Sequence, residues 1–326
     1  MLKQKFSRSI ISLIILVAIS IAFPMVTSPY YTSLATMFFI NAILVVSFRF
    51  IATMGEFSFA HVAFMGIGSY ATALLTTRLG WPFWLTLPMG GIAAATISLV
   101  ISYPLLRMKG FYFFVASFAA GQSMYLIWTK FKFFGAFLGI SPVPPPKLAG
   151  INFSEFTPYY YLVSVIAILC MIILYRLEHS RVGAAIKAVA ANDLLAQSVG
   201  INVRLYKTIA FITGSFFAGV AGVLLAHRMG YVGPDQFTFT YNLYVIVWTI
   251  TGGLYSFNGP ITGLVVLTIV DIILRNYKNV QPYTPLIYGA VLIITLLFLP
   301  RGLISLPQRV SAIIKRKKVR AKLVNN

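Results

Sequence analysis

The chain has 326 residues, of which 59% are hydrophobic and only 10% are charged. Because a soluble domain carries about 25% charged residues, this composition excludes a soluble globular protein, and its hydrophobicity excludes a disordered chain. The net charge of +20 comes from bases in short loops and in the C-terminal tail, which is typical of topology signals and lipid contacts. The lipid bilayer is therefore the expected surrounding, and no nucleic-acid partner is expected.

The apolar runs, taken in chain order, predict transmembrane helices, because a helix of roughly 20 apolar residues crosses the hydrocarbon core. Eight runs predict single spans: Ser9–Val26, Ser33–Phe48, Phe59–Thr77, Trp84–Tyr103, Phe111–Thr129, Pro158–Tyr175, Thr208–Ala226 and Pro285–Leu299. The first run resembles a signal peptide but lacks a small-x-small cleavage site, so we expect an uncleaved helix.

The uncharged stretch Gln236–Val270 is short for two full spans, and the turn formers Gly252-Gly253 and Asn258-Gly259-Pro260 interrupt it. It predicts either two short crossing helices or a segment that enters the membrane and returns. A single crossing would place the basic tail outside, against the positive-inside rule. The expected fold is therefore an all-α, polytopic integral membrane protein with about ten transmembrane helices, or eight if this stretch does not cross.

The bases concentrate in alternate loops, and this sets the orientation, since short cytoplasmic loops carry an excess of Lys and Arg. The rule places both termini in the cytoplasm. Residues 1–326 then form a single transmembrane domain with an external loop at 130–157, a cytoplasmic loop at 176–207 and a basic cytoplasmic tail at 301–326. We expect a multi-pass protein of the plasma or inner cell membrane.

The cytoplasmic loop carries a helical pattern of its own. Ser180 is placed to cap a short helix, on which Val182, Ile186 and Val189 share one face, and a second short helix ends at Gly200. From the residues alone, two interpretations stay open. The loop is either an amphipathic segment on the membrane surface or a docking element whose apolar face fits a groove on a cytoplasmic partner.

Several short motifs follow one another in a fixed order along the chain. They are Phe57–Tyr70 (FSFAHVAFMGIGSY), Arg107–Phe113 (RMKGFYF), Gly135 with Gly139-Ile140-Ser141, Ser180–Asn202, Gly252-Gly253-Leu254 with Gly259-Pro260, and Pro300–Leu303. Together they resemble the branched-chain amino acid permease family of ABC importers, in particular its LivM-type subunit. The resemblance covers roughly residues 47–306.

This resemblance implies a permease subunit that does not hydrolyse ATP itself. The sequence agrees, because no Gly-Lys pair occurs in it and a phosphate-binding P-loop is therefore absent. The implied partners are a second permease subunit, two cytoplasmic ABC ATPases that bind ATP and Mg²⁺, and an external solute-binding protein. No catalytic residue, metal or cofactor is expected in this chain. The implied ATPase-coupling residues are Ser180, Arg181, Gly183, Ile186, Lys187, Asp193 and Gly200.

Small residues recur along the third predicted span, at Ala60, Ala63, Gly66 and Ser69. The favoured interpretation is close helix packing, and the alternative is that this stripe brings the backbone near a substrate path. His61 is a further candidate because a polar residue inside a membrane is costly, although a hydrogen bond to a neighbouring helix explains it equally well. The candidate path residues are Ser58, His61, Phe64, Gly66, Gly68, Gly252 and Gly253.

Other functions match the residues less well. An ion-coupled secondary transporter usually keeps ionisable residues in the membrane interior, and only His61 and Asp271 are candidates. A membrane-embedded enzyme is disfavoured, because the three histidines fall in different parts of the expected topology. A permease of the same family for urea, amides or other amino acids stays open. Among the remaining charges, Glu56 is expected to pair with Arg49 or Arg107.

Overall fold

The computed structural model describes residues 24, 27–148, 151–275, 283–299 and 302–305. Apart from Pro24, the first predicted span and the tail beyond residue 305 lie outside the described residues. Within these ranges the helices are α1 (Pro29–Ala52), α2 (His61–Leu79), α3 (Phe83–Leu105), α4 (Phe111–Lys130), α5 (Phe156–Glu178), α6 (Arg181–Ala191), α7 (Asp193–Ser198), α8 (Val203–Met229), α9 (Phe239–Gly252), α10 (Gly259–Arg275) and α11 (Thr284–Phe298). A two-residue antiparallel pair, β1 (Lys147–Leu148) and β2 (Ile151–Asn152), lies before α5.

The helices agree with the predicted spans. Each single span predicted from residue 33 onward coincides with one helix. Five of them, α1, α3, α4, α5 and α8, are long and apolar enough to cross a membrane, and α10 and α11 are shorter apolar helices. The prediction of an all-α polytopic membrane protein is therefore confirmed, with the short β1–β2 pair as its one small exception in the described ranges.

Glycine and asparagine set several of the helix ends. Gly80 follows α2 and Gly230 follows α8, each with a φ of +66°, the left-handed conformation common at helix C-termini. Asn202 caps the start of α8, where its Oδ1 accepts a hydrogen bond from the backbone N–H of Leu205 at 3.1 Å. These local signals fix where the chain leaves and re-enters the bundle.

Helix α8 is central and packs on α1, α2 and α3. Small residues let the backbones of α2 and α8 touch: a Cβ on Gly68 would overlap the carbonyl oxygen of Gly219, and one on Gly222 would overlap that of Met65. The Oγ of Ser69 donates to the carbonyl of Gly222 at 2.7 Å. This contact, named here the α2–α8 seam, follows the rule that membrane helices approach most closely at small residues.

The stretch 236–270 forms two antiparallel helices, α9 and α10, joined by a turn at 253–258. A Cβ on Gly252 would overlap the carbonyl oxygen of Gly259, so the two helices are in backbone contact. Both alternatives open from the sequence place a turn in this stretch, and the structure has that turn between two short helices. At about 1.5 Å per residue, the 14 residues of α9 extend about 21 Å, less than the roughly 30 Å of a hydrocarbon core.

The turn lies at the same end of the bundle as the loop 176–207. The rings of Tyr175 and Phe257 meet edge-on at 5.1 Å, and Gly302 packs against the same turn. We call this end, which carries the loops 176–207 and 253–258, the basic face. The chain after α11 therefore returns to the basic face, as the predicted alternation of loops requires.

Candidate functional site

The loop 176–207 folds as the two short helices that its sequence predicts, α6 and α7. The Oγ of Ser180 accepts a hydrogen bond from the N–H of Gly183 at 3.4 Å and caps α6. Asn192 caps α7 in the same way. Gly200 follows with a φ of +82°, a conformation that favours glycine. The loop is thus an ordered structure with local signals at each of its ends.

The apolar face of α6 points into the protein. Ile186 and Val189 are each 1% exposed, Val182 is half-buried, and a Cβ on Gly183 would overlap the carbonyl oxygen of Glu178. The interpretation of this face as a docking surface is therefore wrong, because the bundle itself covers it, chiefly through α8. An amphipathic pattern shows which face of a helix is covered, and it does not show what covers it.

A different set of apolar side chains faces outward from the loop. Leu194, Leu195 and Val199 are 77%, 66% and 71% exposed, and we call these three residues the outer patch. Contiguous exposed apolar side chains mark interaction sites. The sequence analysis missed them because the apolar face that it considered was the one on α6, although two adjacent leucines in the loop were a visible signal.

Glu178, at the end of α5, lies in a cluster of charges at the basic face. The Nη2 of Arg49 donates to its Oε1 at 2.9 Å, the Nη1 of Arg49 contacts its Oε2, and the Nζ of Lys187 lies 2.8 Å from Oε1. Arg49 also donates from Nε to the carbonyl of Leu254 at 2.8 Å. We call these contacts the Glu178 cluster. They join α1, α5, α6 and the turn at 253–258.

The pairing predicted for Glu56 is wrong. Its Oε2 accepts a hydrogen bond from the backbone N–H of Gly110 at 3.0 Å. Arg49 is engaged by Glu178, with side chains 3% and 4% exposed, and Arg107 lies over an aromatic ring. Sequence reasoning placed the nearest acid beside Arg49, whereas the true partner lies 129 residues away and meets it only through the packing of α1 on α5.

Asp193, predicted as a coupling residue, pairs with two lysines from other elements. It contacts the Nζ of Lys109 and lies 3.3 Å from the Nζ of Lys207. Burial by itself raises the pKa of Asp193, but the hydrogen bonds and charges of the two lysines outweigh it and hold this pKa below its usual range. Helix α7 is therefore tied to α8 and to the turn after α3. Arg181, by contrast, is exposed at the start of α6.

The predicted path residues at the start of α2 are buried. The Nε2 of His61 lies within hydrogen-bond distance of the Oγ of Ser47 and the carbonyl of Leu44, at 3.1 Å each. Ser58 and Phe64 are 0% and 1% exposed. The interpretation of His61 as a hydrogen-bonding group between neighbouring helices is therefore the one that the structure supports.

The glycines predicted to line the substrate path lie instead where helices pack against each other. A Cβ on Gly66 would overlap the ring of Trp128, and Gly68 belongs to the α2–α8 seam. Gly252 and Gly253 lie in a different place, inside the α9–α10 hairpin at the basic face. The seven predicted residues therefore do not form one site, and the small-residue stripe of α2 serves close packing.

Comparison with known proteins gives one consistent family. The family described as "Branched-chain amino acid transport system / permease component" matches residues 30–296. The chain is 27% identical over 319 residues to the high-affinity branched-chain amino acid transport system permease protein LivM of Escherichia coli (strain K12), covering 90% of this chain and 74% of that protein. It is 30% identical over 148 residues to LivH of the same strain, covering 45% and 47%. It is 23% identical over 278 residues to BraD of Pseudomonas aeruginosa, covering 78% and 88%. No solved structure matches the chain.

Proposed function

The chain belongs to the family of branched-chain amino acid transport permeases, and from this premise we propose that it is one transmembrane half of an ATP-driven importer for branched-chain amino acids. It is a multi-pass protein of the inner membrane. Its proposed partners are a second permease subunit, two cytoplasmic ATPases that bind ATP and Mg²⁺, and an external solute-binding protein. The similarity to both LivM and LivH, two permeases with the same system name, supports a pair of permease subunits.

The outer patch is the observation that carries the ATPase part of this proposal. Leu194, Leu195 and Val199 would be costly to leave in water, and they are presented on a loop whose other face is fixed to the bundle. A short helix that presents leucines suits a hydrophobic groove on a partner. In this arrangement the basic face is cytoplasmic, and residues 1–326 form a single permease domain with its external loop at 130–157 and its basic tail at 301–326.

The Glu178 cluster provides a route for the mechanical step. Nucleotide-driven closure of the ATPases would push on α7 and α6. The two helices would move together with the bundle, because the Asp193 ion pairs fix α7 to it and the buried Ile186 fixes α6 to it. The push reaches the α9–α10 turn through Lys187, Glu178 and Arg49. A rigid shift of this kind, transmitted through packed elements, is how helices switch between two arrangements.

The test replaces Leu194 and Leu195 with Asp in the tagged chain and isolates the complex from detergent-solubilised membranes. We expect the ATPase to be lost from the complex, because two charges placed in an apolar interface remove its hydrophobic contribution and stay poorly solvated. The matched control is Leu138→Asp, an 84% exposed leucine in the loop after α4, which should leave ATPase recovery unchanged.

The measurements are mass identification of the recovered subunits and cargo-stimulated ATP hydrolysis. Undiminished recovery and hydrolysis in the Leu194→Asp, Leu195→Asp variant would contradict the docking role. Recovery of the wild-type chain alone, stable and monodisperse, would contradict the importer and favour an ion-coupled transporter. Uptake of leucine, valine and urea by the intact complex in vesicles, with and without ATP, decides the cargo.

A further inference from the structure

A narrow cleft lies between the start of α2, the middle of α4 and the start of α9, and its volume of about 10 Å³ is the size of a single water molecule. In this conformation the cleft has room for water only, so a larger ligand enters when its walls move apart. Phe59, Phe118 and Phe239 form one wall, with ring centroids 5.9 Å apart between Phe59 and Phe239 and 4.8 Å apart between Phe118 and Phe239. The cleft lining, all of it in the described chain, contains no charged side chain.

Asn242 lines this cleft and has an unused donor. Its Oδ1 accepts a hydrogen bond from the backbone N–H of Val62 at 3.1 Å, which fixes the orientation of the amide and leaves the Nδ2 as a donor. Asn242 is 2% exposed, and its Nδ2 has no hydrogen-bond partner among the residues that the structure describes. A buried amide donor without a partner is costly, and a ligand acceptor would remove that cost.

Two helices begin at the same place. The N-cap residues are Ala60 for α2 and Thr238 for α9, and neither makes a side-chain capping hydrogen bond. The start of a helix carries a partial positive charge and backbone N–H groups without partners in the helix. Because Asn242 bonds the first turn of α2 from the first turn of α9, both helix starts lie beside the unused amide. The polar side of the cleft therefore offers the Nδ2 donor of Asn242 and partial positive charge, which suit a carboxylate.

Helix α4 forms the third side of the cleft and differs from the other four helices that can cross a membrane. The mean hydropathy of its apolar window, 1.2, is the lowest, against 1.7 to 2.1 for the others, and yet only 17% of that window is buried within the chain. Gln122, near its middle, faces the cleft. A weakly apolar helix that is open to its surroundings suits a protein partner and a polar path better than it suits lipid.

We infer that this cleft binds the transported amino acid. Asn242 Nδ2 and the starts of α2 and α9 take the carboxylate, and the phenylalanine wall takes the aliphatic side chain. The inference rests on the proposed function and adds the residues that meet the cargo. In this conformation the Nδ2 is shielded from solvent, so the carboxylate reaches it when α9 moves. Helix α9 is joined through the 253–258 turn to the Glu178 cluster, which places the cleft under the control of the coupling loop.

The first test uses thiol accessibility, because Cys170 is the single cysteine of the chain and can be replaced by Ser. In that background, Gln122→Cys is treated with a membrane-impermeant methanethiosulfonate in the assembled complex, with and without saturating L-leucine and through the ATP cycle. We expect Gln122→Cys to react and L-leucine to slow the reaction about tenfold, as for a site that is about 90% occupied. The matched control is Ser123→Cys, at the next and more exposed position of α4, whose rate should not respond to leucine.

The second test separates the two atoms of the Asn242 amide. Asn242→Asp keeps the acceptor for the N–H of Val62 and replaces the donor with an oxygen that repels a carboxylate, whereas Asn242→Leu removes both atoms. We expect Asn242→Asp to lower the maximal rate of leucine uptake about tenfold or more, while the KM, which the external binding protein sets, is unchanged and the complex still assembles and hydrolyses ATP. If Asn242 were only structural, Asn242→Asp would transport like the wild type and Asn242→Leu alone would fail.

The outcomes separate the two levels of the argument. A wild-type complex that takes up no amino acid would overturn the proposed function. A wild-type complex that transports leucine, combined with a normal maximal uptake rate in Asn242→Asp, would overturn the cleft alone. An unreactive thiol at Gln122→Cys in every nucleotide state, or a reaction rate that leucine does not change, would overturn it as well.

Discussion

Helices α8 and α4 are both long and apolar enough to cross a membrane, but α8 is mostly buried inside the chain and α4 is mostly exposed. The apolar window of α8 has a mean hydropathy of 2.1 and is 78% buried inside the protein, whereas that of α4 has a mean hydropathy of 1.2 and is 17% buried. In an isolated subunit surrounded by lipid, the less apolar helix should be the better covered one. The reversal teaches that α8 holds the chain together, and under the proposed function we expect α4 to face protein or a polar path.

Helix α5 sharpens this contrast. It is also largely open, with 39% of its window buried, but its mean hydropathy is 2.1. Leu169 and Ile173, on its outer side, are 54% and 53% exposed, which suits contact with acyl chains. The open surface of the chain is therefore of two kinds, an aliphatic one on α5 that suits lipid and a mixed one on α4 that suits a protein partner.

The largest effect is expected at the α2–α8 seam. Gly68→Ala should destabilise the protein by about 1–3 kcal/mol or more, because the new Cβ would overlap the backbone carbonyl of Gly219, which cannot rotate away. Gly289→Ala in α11 is the matched control, since nothing lies within 4 Å of its Cβ position. It should be neutral or stabilising by up to about 1 kcal/mol. Apparent Tm in detergent compares the two, and equal values would contradict the role of α8 as scaffold.

A smaller effect tests the two kinds of open surface. Leu126 in α4 and Leu169 in α5 are both 54% exposed, so each can be replaced by Asn with the same loss of apolar area. An amide buried without partners in a protein contact costs about 1–3 kcal/mol, so Leu126→Asn should lower co-purification of the second permease by about five- to a hundredfold. Leu169→Asn should not change it. Equal losses, or none in either variant, would show that α4 does not face the partner.

The smallest effect concerns the loop 176–207 and pH. The pKa of Asp193 is held below its usual range in the folded loop, so its stabilisation is fully present above the unfolded pKa of about 3.9. This stabilisation is lost as the pH falls through the lower pKa that Asp193 has in the folded protein. An ion pair this near the surface contributes about 1 kcal/mol or less. Pepsin cleavage within 180–200 should therefore rise below about pH 4 in the wild type. Asp193→Asn should lack this step, and an identical pH profile would contradict the pairing.

Much of the architecture follows from the sequence, because the responsible signals are local. A run of apolar residues long enough to span the bilayer predicts a helix wherever it packs, so the spans from Ser33–Phe48 to Pro285–Leu299 coincide with helices. Capping residues act within one turn, so Ser180 and Gly200 bound the loop helices where the pattern indicates. The ordered motifs gave the family, which the comparisons confirm.

The candidate site was only partly predictable, because its contacts join distant residues. The sequence indicated that α6 has an apolar face, but the packing of Ile186 against the bundle decided that this face is covered and that Leu194 and Leu195 are presented instead.

The sequence alone thus determined an all-α membrane permease and the positions of its helices and turns, because segment length, apolarity and caps depend on neighbours along the chain. The tertiary structure decided that Arg49 bonds Glu178 rather than Glu56, and that Asn242 of α9 meets the start of α2. The residues in these two contacts are 129 and 180 positions apart in the sequence. They meet only because their helices pack together, and a pattern along the chain does not specify which helix surfaces meet.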